Sequence, residues 1–173
     1  KTVNINGGGT LQLSNSDALG WGGSATARIV MQGDTQADAV LELGNRQTFN
    51  TTIEMKGRAA VCQLAGSQSN GAIDAYGGSI TVSGTDNLLA VPVRMRQAMT
   101  ITVAQNGELT FDGGVYAQNS YSNKLTKAGA GLLTLAGGGH QYTASPVDIS
   151  AGTLAVDGLK DSSLKIGSFD GAV

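Results

Sequence analysis

The sequence predicts an all-β fold: a right-handed parallel β-helix (β-solenoid) of about seven coils, formed by residues 1–173 as one domain. Three observations carry this. Glycine is abundant at 26 residues while proline is scarce at 2, which marks many tight corners without a collagen-like period. A short template of alternating apolar residues between glycines recurs along the chain. A second alternating segment precedes most copies of it.

The template is Gly-x-Φ-x-Φ-x-Gly, with Φ apolar. It fits "GSITVSG" at 78, "GELTFDG" at 107, "GLLTLAG" at 131 and "GTLAVDG" at 152. "GTLQLSN" at 9 fits with Asn15 in the last place, and asparagine also tolerates a left-handed backbone. "AVLELGN" at 39 and "AVCQLAG" at 60 fit with alanine first. The first Φ positions are then 11, 41, 62, 80, 109, 133 and 154, separated by 30, 21, 18, 29, 24 and 21 residues. Spacings of this size belong to solenoid repeats.

The preceding segments are "VNI" at 3, "IEM" at 53, "IDA" at 73, "ITV" at 101 and "VDI" at 147. Each repeat therefore reads as strand, corner, strand and a longer excursion. Period-two alternation buries one face and wets the other. Stacking the repeats gives two inner columns. One is Leu11, Leu41, Cys62, Ile80, Leu109, Leu133 and Leu154; the other is Leu13, Leu43, Leu64, Val82, Phe111, Leu135 and Val156. The right hand follows from the rule for parallel crossovers. The two long steps predict side loops near 15–38 and 84–100, and loops on a rigid scaffold carry function, here 15–38 and 84–123. No segment reads convincingly as a helix.

"LTKAGAGLLTLAGG" at 125 raises the question of a phosphate loop. A phosphate loop needs a helix directly after it, whose N-terminus takes the anion. Here a strand pattern comes next, so Gly129 and Gly131 read as corner glycines.

Composition bounds the partners. Charged residues are 14% and the net charge is −2, with no basic block, so nucleic acid is not an expected partner. No apolar run approaches the roughly 20 residues of a membrane-spanning helix. The single cysteine excludes an internal disulfide. Beginning at Lys1 without a signal peptide, the chain reads as a mature protein or an excised segment.

Residues 127–158, "KAGAGLLTLAGGGHQYTASPVDISAGTLAVDG", resemble the passenger-associated transport repeat of bacterial autotransporters. Lys127, Gly129, Gly131, Leu133, Leu135, Gly137, Tyr142, Thr143, Ala151, Gly152, Thr153 and Leu154 fall on that pattern; Ala144 or Ser145 stands where a glycine is usual. "SSLKIGS" at 162 is similar to the segment that comes after the repeat. The resemblance implies a parallel β-helix in a secreted or cell-surface protein associated with the bacterial outer membrane, and it implies no particular chemistry.

Chemistry-bearing residues are few. His140 is the one histidine, and no serine elbow accompanies it. One His and one Cys without an HExxH pattern do not make a zinc site, and no metal or cofactor is expected. Cys62 reads as a small hydrophobe of the inner column. Ten Asp and three Glu supply the one enzymatic option, with Glu54, Asp74 and Asp148 outward on second strands and Asp112 and Asp157 ending first strands. Their plain alternative is solvated acids on a rod. Arg94 and Arg96 alternate with Val93 and Met95 and so share a face; with Arg58 they suit an acidic sugar or lipid headgroup, or simply guard an edge. Trp21, in "ALGWGGS", suits stacking on a sugar ring or capping of the first coil.

The expected function is a structural and binding module: a rigid stalk that displays Trp21, Arg94 and Arg96 to host or matrix glycans, mucin or proteins. No catalytic residue is assigned. Self-association through open solenoid ends is a further expectation. The rival is a carbohydrate- or mucin-directed hydrolase or lyase using paired carboxylates.

Overall fold

A computed structural model describes residues 2–15, 28–49, 52–63, 71–117, 124–136, 141–142, 146–156 and 165–169. Every regular element among them is a strand, and the strands wind into a parallel β-solenoid. Three sheets form its walls. Sheet I stacks β1 (Thr2–Asn6), β3 (Arg28–Gln32), β6 (Thr52–Met55), β9 (Ser79–Val82), β12 (Met99–Val103), β15 (Leu125–Ala128), β18 (Pro146–Ile149) and β20 (Lys165–Phe169). Sheet II stacks β2 (Thr10–Leu13), β4 (Ala39–Leu43), β7 (Ala59–Gln63), β10 (Asn87–Leu89), β13 (Glu108–Phe111), β16 (Leu132–Leu135) and β19 (Thr153–Val156). Sheet III stacks β5 (Arg46–Phe49), β8 (Ala72–Ala75), β11 (Val93–Met95), β14 (Val115–Ala117) and β17 (Gln141–Tyr142).

From β3 to β19 the strands cycle I, II, III, and the third sheet closes five turns; β2 passes to β3 and β19 to β20, both of sheet I, with no sheet III strand between them among the described residues. About five turns result, rather than the seven expected from counting templates. Five is the number of described sheet III strands, and so of three-walled turns, whereas sheet II alone has seven strands; template counting reaches seven with one strand misplaced. "GSITVSG" at 78 supplies β9 of sheet I and not a sheet II strand, while "IDA" at 73 supplies β8 of sheet III. Gly-bounded alternation recurs on two walls, and the alternation alone does not say which wall.

The expected side loops are likewise corrected. Residues 28–32 form β3, and residues 84–100 contain β10, β11 and the start of β12, most of a turn. β10 and β11 are three residues each, too short for the seven-residue template. Their inward residues Leu89, Val93 and Met95 are fully buried, as is Val91 between them.

The core is a set of in-register columns. On sheet I, Val3, Ile29, Ile53, Ile80, Ile101, Lys127 and Ile149 stack in succession. On sheet II, Leu11, Leu41, Val61, Leu89, Phe111 and Leu135 stack, and Val156 continues the column at an exposed end. Sheet III contributes Ile73, Val93 and Val115. Each fully buried Leu, Ile or Phe is worth roughly 1.5–3 kcal/mol relative to exposure. Like residues stack on like because parallel neighbours about 4.8 Å apart point the same way.

Corners need residues without a side chain. Gly129 turns sheet I into sheet II with a left-handed φ of 76°, and a Cβ there would overlap the Val103 carbonyl oxygen. Gly131 is equally confined, with the Ala104 carbonyl oxygen occupying the place of a Cβ. The corner reading of "KAGAG" therefore holds.

Candidate functional site

Sheet III carries a column of charged and aromatic side chains suited to recognition. Its outward column runs Asp74 in β8, Arg94 in β11 and Tyr116 in β14, in register. Val93 and Val115 beside them are fully buried, so alternation forces Arg94 and Tyr116 to the outside. Arg94 and Tyr116 are half-buried. Arg96 lies two residues on, at the corner leading to sheet I, where its backbone N–H donates to the Ala75 carbonyl at 2.8 Å. Its guanidinium reaches an Asp74 carboxylate oxygen at 3.5 Å. Asp74 is 5% exposed, so this pairing keeps a desolvated carboxylate beside a cation. Tyr76 comes directly after β8 and is 40% exposed. Gly77 and Gly78, both at positive φ, then turn the chain away.

Arg94 and Arg96 thus share a face, as the alternation predicts. They sit on a strand and its end, not on a loop. Arg58 does not join them: it lies at the corner between sheets I and II, across the solenoid, where its Nε donates to Asp38 at 2.9 Å. That corner is a groove lined in part by Gly33, Asp34, Arg58 and Asp86. Asp34 accepts backbone N–H bonds from Gln36 and Ala37, which hold its carboxyl below the ordinary carboxylate range. Trp21, His140 and Asp157 lie outside the described residues.

The candidate acids are dispersed. Glu54 is on the outer face of sheet I, paired with Arg28 and, at 3.6 Å, with Lys56. Asp148 is on the same sheet, paired with Lys124 at 2.6 Å. Four strand spacings separate them, about 19 Å at 4.8 Å each. Asp74 is on sheet III, and Asp112 comes just after β13 of sheet II. Among the described residues no cluster of three or more His, Cys, Asp or Glu suits a metal ion, and no helix is long and apolar enough to cross a membrane.

Cys62 is not an inner-column residue. Val61 takes the inward place opposite Leu41, and Cys62 pairs with outward Glu42. A slip of one residue reverses every side chain of a strand. Burial, and then the Glu42 charge, push its thiol pKa up, away from the thiolate that a nucleophile needs.

Lys127 is the functional-looking residue that the sequence motif disguises. It occupies the sheet I column between Ile101 and Ile149 and is fully buried. Its ammonium donates to the carbonyls of Ala128 at 3.0 Å, Gly129 at 2.6 Å and Ala151 at 3.0 Å. Desolvation lowers its pKa from the ordinary 10.5. The signal is present in the alternation: Leu125-x-Lys127 has the phase of Met99-x-Ile101. The residue clamps the corners of two successive turns.

No family model, curated protein or solved structure matches the chain. The parallel solenoid agrees with the likeness of residues 127–158 to the passenger-associated repeat, and membership in that family is without a matching family model.

Proposed function

We propose that the chain is a rigid structural and recognition module of a bacterial exported or cell-surface protein, presenting sheet III to glycan or protein partners. The observation that supports it best is Arg94: an outward guanidinium on a stiff wall, beside Tyr116, with no ion pair to another described residue. Arg28, Arg58 and Arg96, by contrast, each pair with a carboxylate. The repeat-like segment at 127–158 supports the exported location.

The hydrolase or lyase reading needs two carboxyls within roughly 5–10 Å of each other. Glu54 and Asp148 are about twice that apart, and each is matched to a lysine or arginine. The test is retention of the whole chain on immobilised mucin and on a glycan panel, with release of reducing ends followed in parallel. Retention that falls in an Arg94→Gln variant supports the module. Release of sugar ends that an Asp148→Asn variant abolishes overturns it in favour of an enzyme.

A further inference from the structure

We propose that Arg94 and Tyr116, with Arg96 and Tyr76 at their flank, form a subsite for a carboxylate-bearing polysaccharide lying along the solenoid axis. The inference rests on the display reading above and names its ligand. Three features carry it.

The first is charge. Among the described side chains of this wall two guanidiniums face one carboxylate, and the Asp74 carboxylate is engaged by Arg96. Arg94 keeps a planar fork of donors, which matches a carboxylate in two parallel hydrogen bonds. The second is aromatic surface. Tyr116 neighbours Arg94 one strand away, and Tyr76 exposes 40% of its surface beside the Arg96 corner. Tyrosine rings next to arginine present a flat apolar face with a polar rim, suited to the C–H face of a sugar ring. An anionic membrane would instead favour a broad basic patch, and Asp74 interrupts one here.

The third is rigidity and direction. Arg94 and Tyr116 are held by strands whose inward residues Val93 and Val115 are fully buried, so little backbone freedom remains to be lost on binding. Their column runs from turn to turn, about 4.8 Å per step, along the rod. An elongated polymer lying on that line meets the cation and then the ring.

The experiment measures binding of the full chain to polygalacturonate, with dextran, polyglutamate and anionic phospholipid vesicles as comparisons. Arg94→Gln, Arg94→Lys and Arg58→Gln variants are run beside it, each checked for an unchanged melting temperature. The expected result is binding to polygalacturonate with dextran inert. Arg94→Gln weakens it at least tenfold, Arg94→Lys recovers part, and Arg58→Gln leaves it unchanged. Equal weakening by Arg58→Gln would mean diffuse charge attraction and would overturn the subsite. Equal binding of polyglutamate or vesicles would overturn the sugar assignment. Binding to dextran that ignores Arg94 would overturn the anionic subsite while leaving a display module standing. No binding to any of these ligands would overturn this inference, whereas the display reading falls only if mucin and the wider panel fail too.

Discussion

Replacing Lys127 with methionine keeps most of the side-chain length and removes the charge. Three carbonyls at 2.6, 3.0 and 3.0 Å then lose their donor. Hydrogen bonds to a charged group contribute about 1.5–3 kcal/mol each, so roughly 7 kcal/mol is lost. The desolvation of a buried ammonium, several kcal/mol and taken here as about 4, is relieved at the same time. The net expectation is a destabilisation of about 3 kcal/mol, near two decades in the folding equilibrium. Solenoid turns depend mainly on their neighbours, so β15, β16, β18 and β19 should lose amide-exchange protection before β3 and β4 do. The pH dependence is specific. The folded pKa of Lys127 is lowered from 10.5, so between that lowered value and 10.5 the unfolded chain binds more protons. Stability of the parent relative to Lys127→Met must therefore rise with pH through that window and level off above 10.5. Urea unfolding of both proteins from pH 7 to 11, with exchange measured by mass spectrometry at neutral pH, checks both parts. A difference that shrinks as pH rises, or a variant of equal stability with uniform protection, would refute the reasoning.

The other expectations concern a corner and a thiol. Gly129→Ala drives a Cβ into the Val103 carbonyl oxygen at a φ of 76°, and should lower stability by roughly 2 kcal/mol or more in chemical denaturation; a neutral outcome would deny the tight sheet I to sheet II corner. Alkylation of Cys62 in the native protein should lag behind that of an unstructured thiol at pH 8, because its pKa is raised, and Glu42→Gln should speed it by removing the smaller of the two causes. An unchanged alkylation rate in Glu42→Gln would contradict the placement of Cys62 beside that carboxylate.

Much of the fold is legible in alternation. The stacked leucines of the late turns, Leu109, Leu133 and Leu154 with Phe111 and Leu135, lie in the columns that spacing alone proposes. Their templates begin at glycine, and a glycine that the neighbouring backbone crowds fixes the phase of the strand after it. "AVCQLAG" begins at alanine, which fits inside or at a corner, and cysteine passes for a small hydrophobe. Nothing local then separates the Val61 phase from the Cys62 phase, and only the register with Leu41 and Glu42 decides it. Sheet III escapes the template for a different reason: strands of three residues such as "VRM" and "VYA" hold one alternation each. Even so, Val93 and Met95 are enough to place Arg94 on the correct side. Its neighbours Asp74 and Tyr116 come from turns 20 and 22 residues away, and no spacing in the sequence announces them. Chemistry hides Lys127, since a lysine is expected outside unless backbone carbonyls converge on it.

The central claim is a parallel, in-register solenoid, and the native Cys62 offers a direct probe of it. Glu42 and Cys62 are aligned on adjacent strands of sheet II, both pointing outward. Parallel neighbours stand about 4.8 Å apart, within the Cα separation that a disulfide bridges. A Glu42→Cys variant, oxidised under native conditions and digested, should yield a peptide pair joined through positions 42 and 62. A Leu41→Cys variant should yield none, because that side chain points into the core. The crosslink at 42 with none at 41 is the result that the solenoid and its register require. The reverse, or no crosslink from either position, would contradict them.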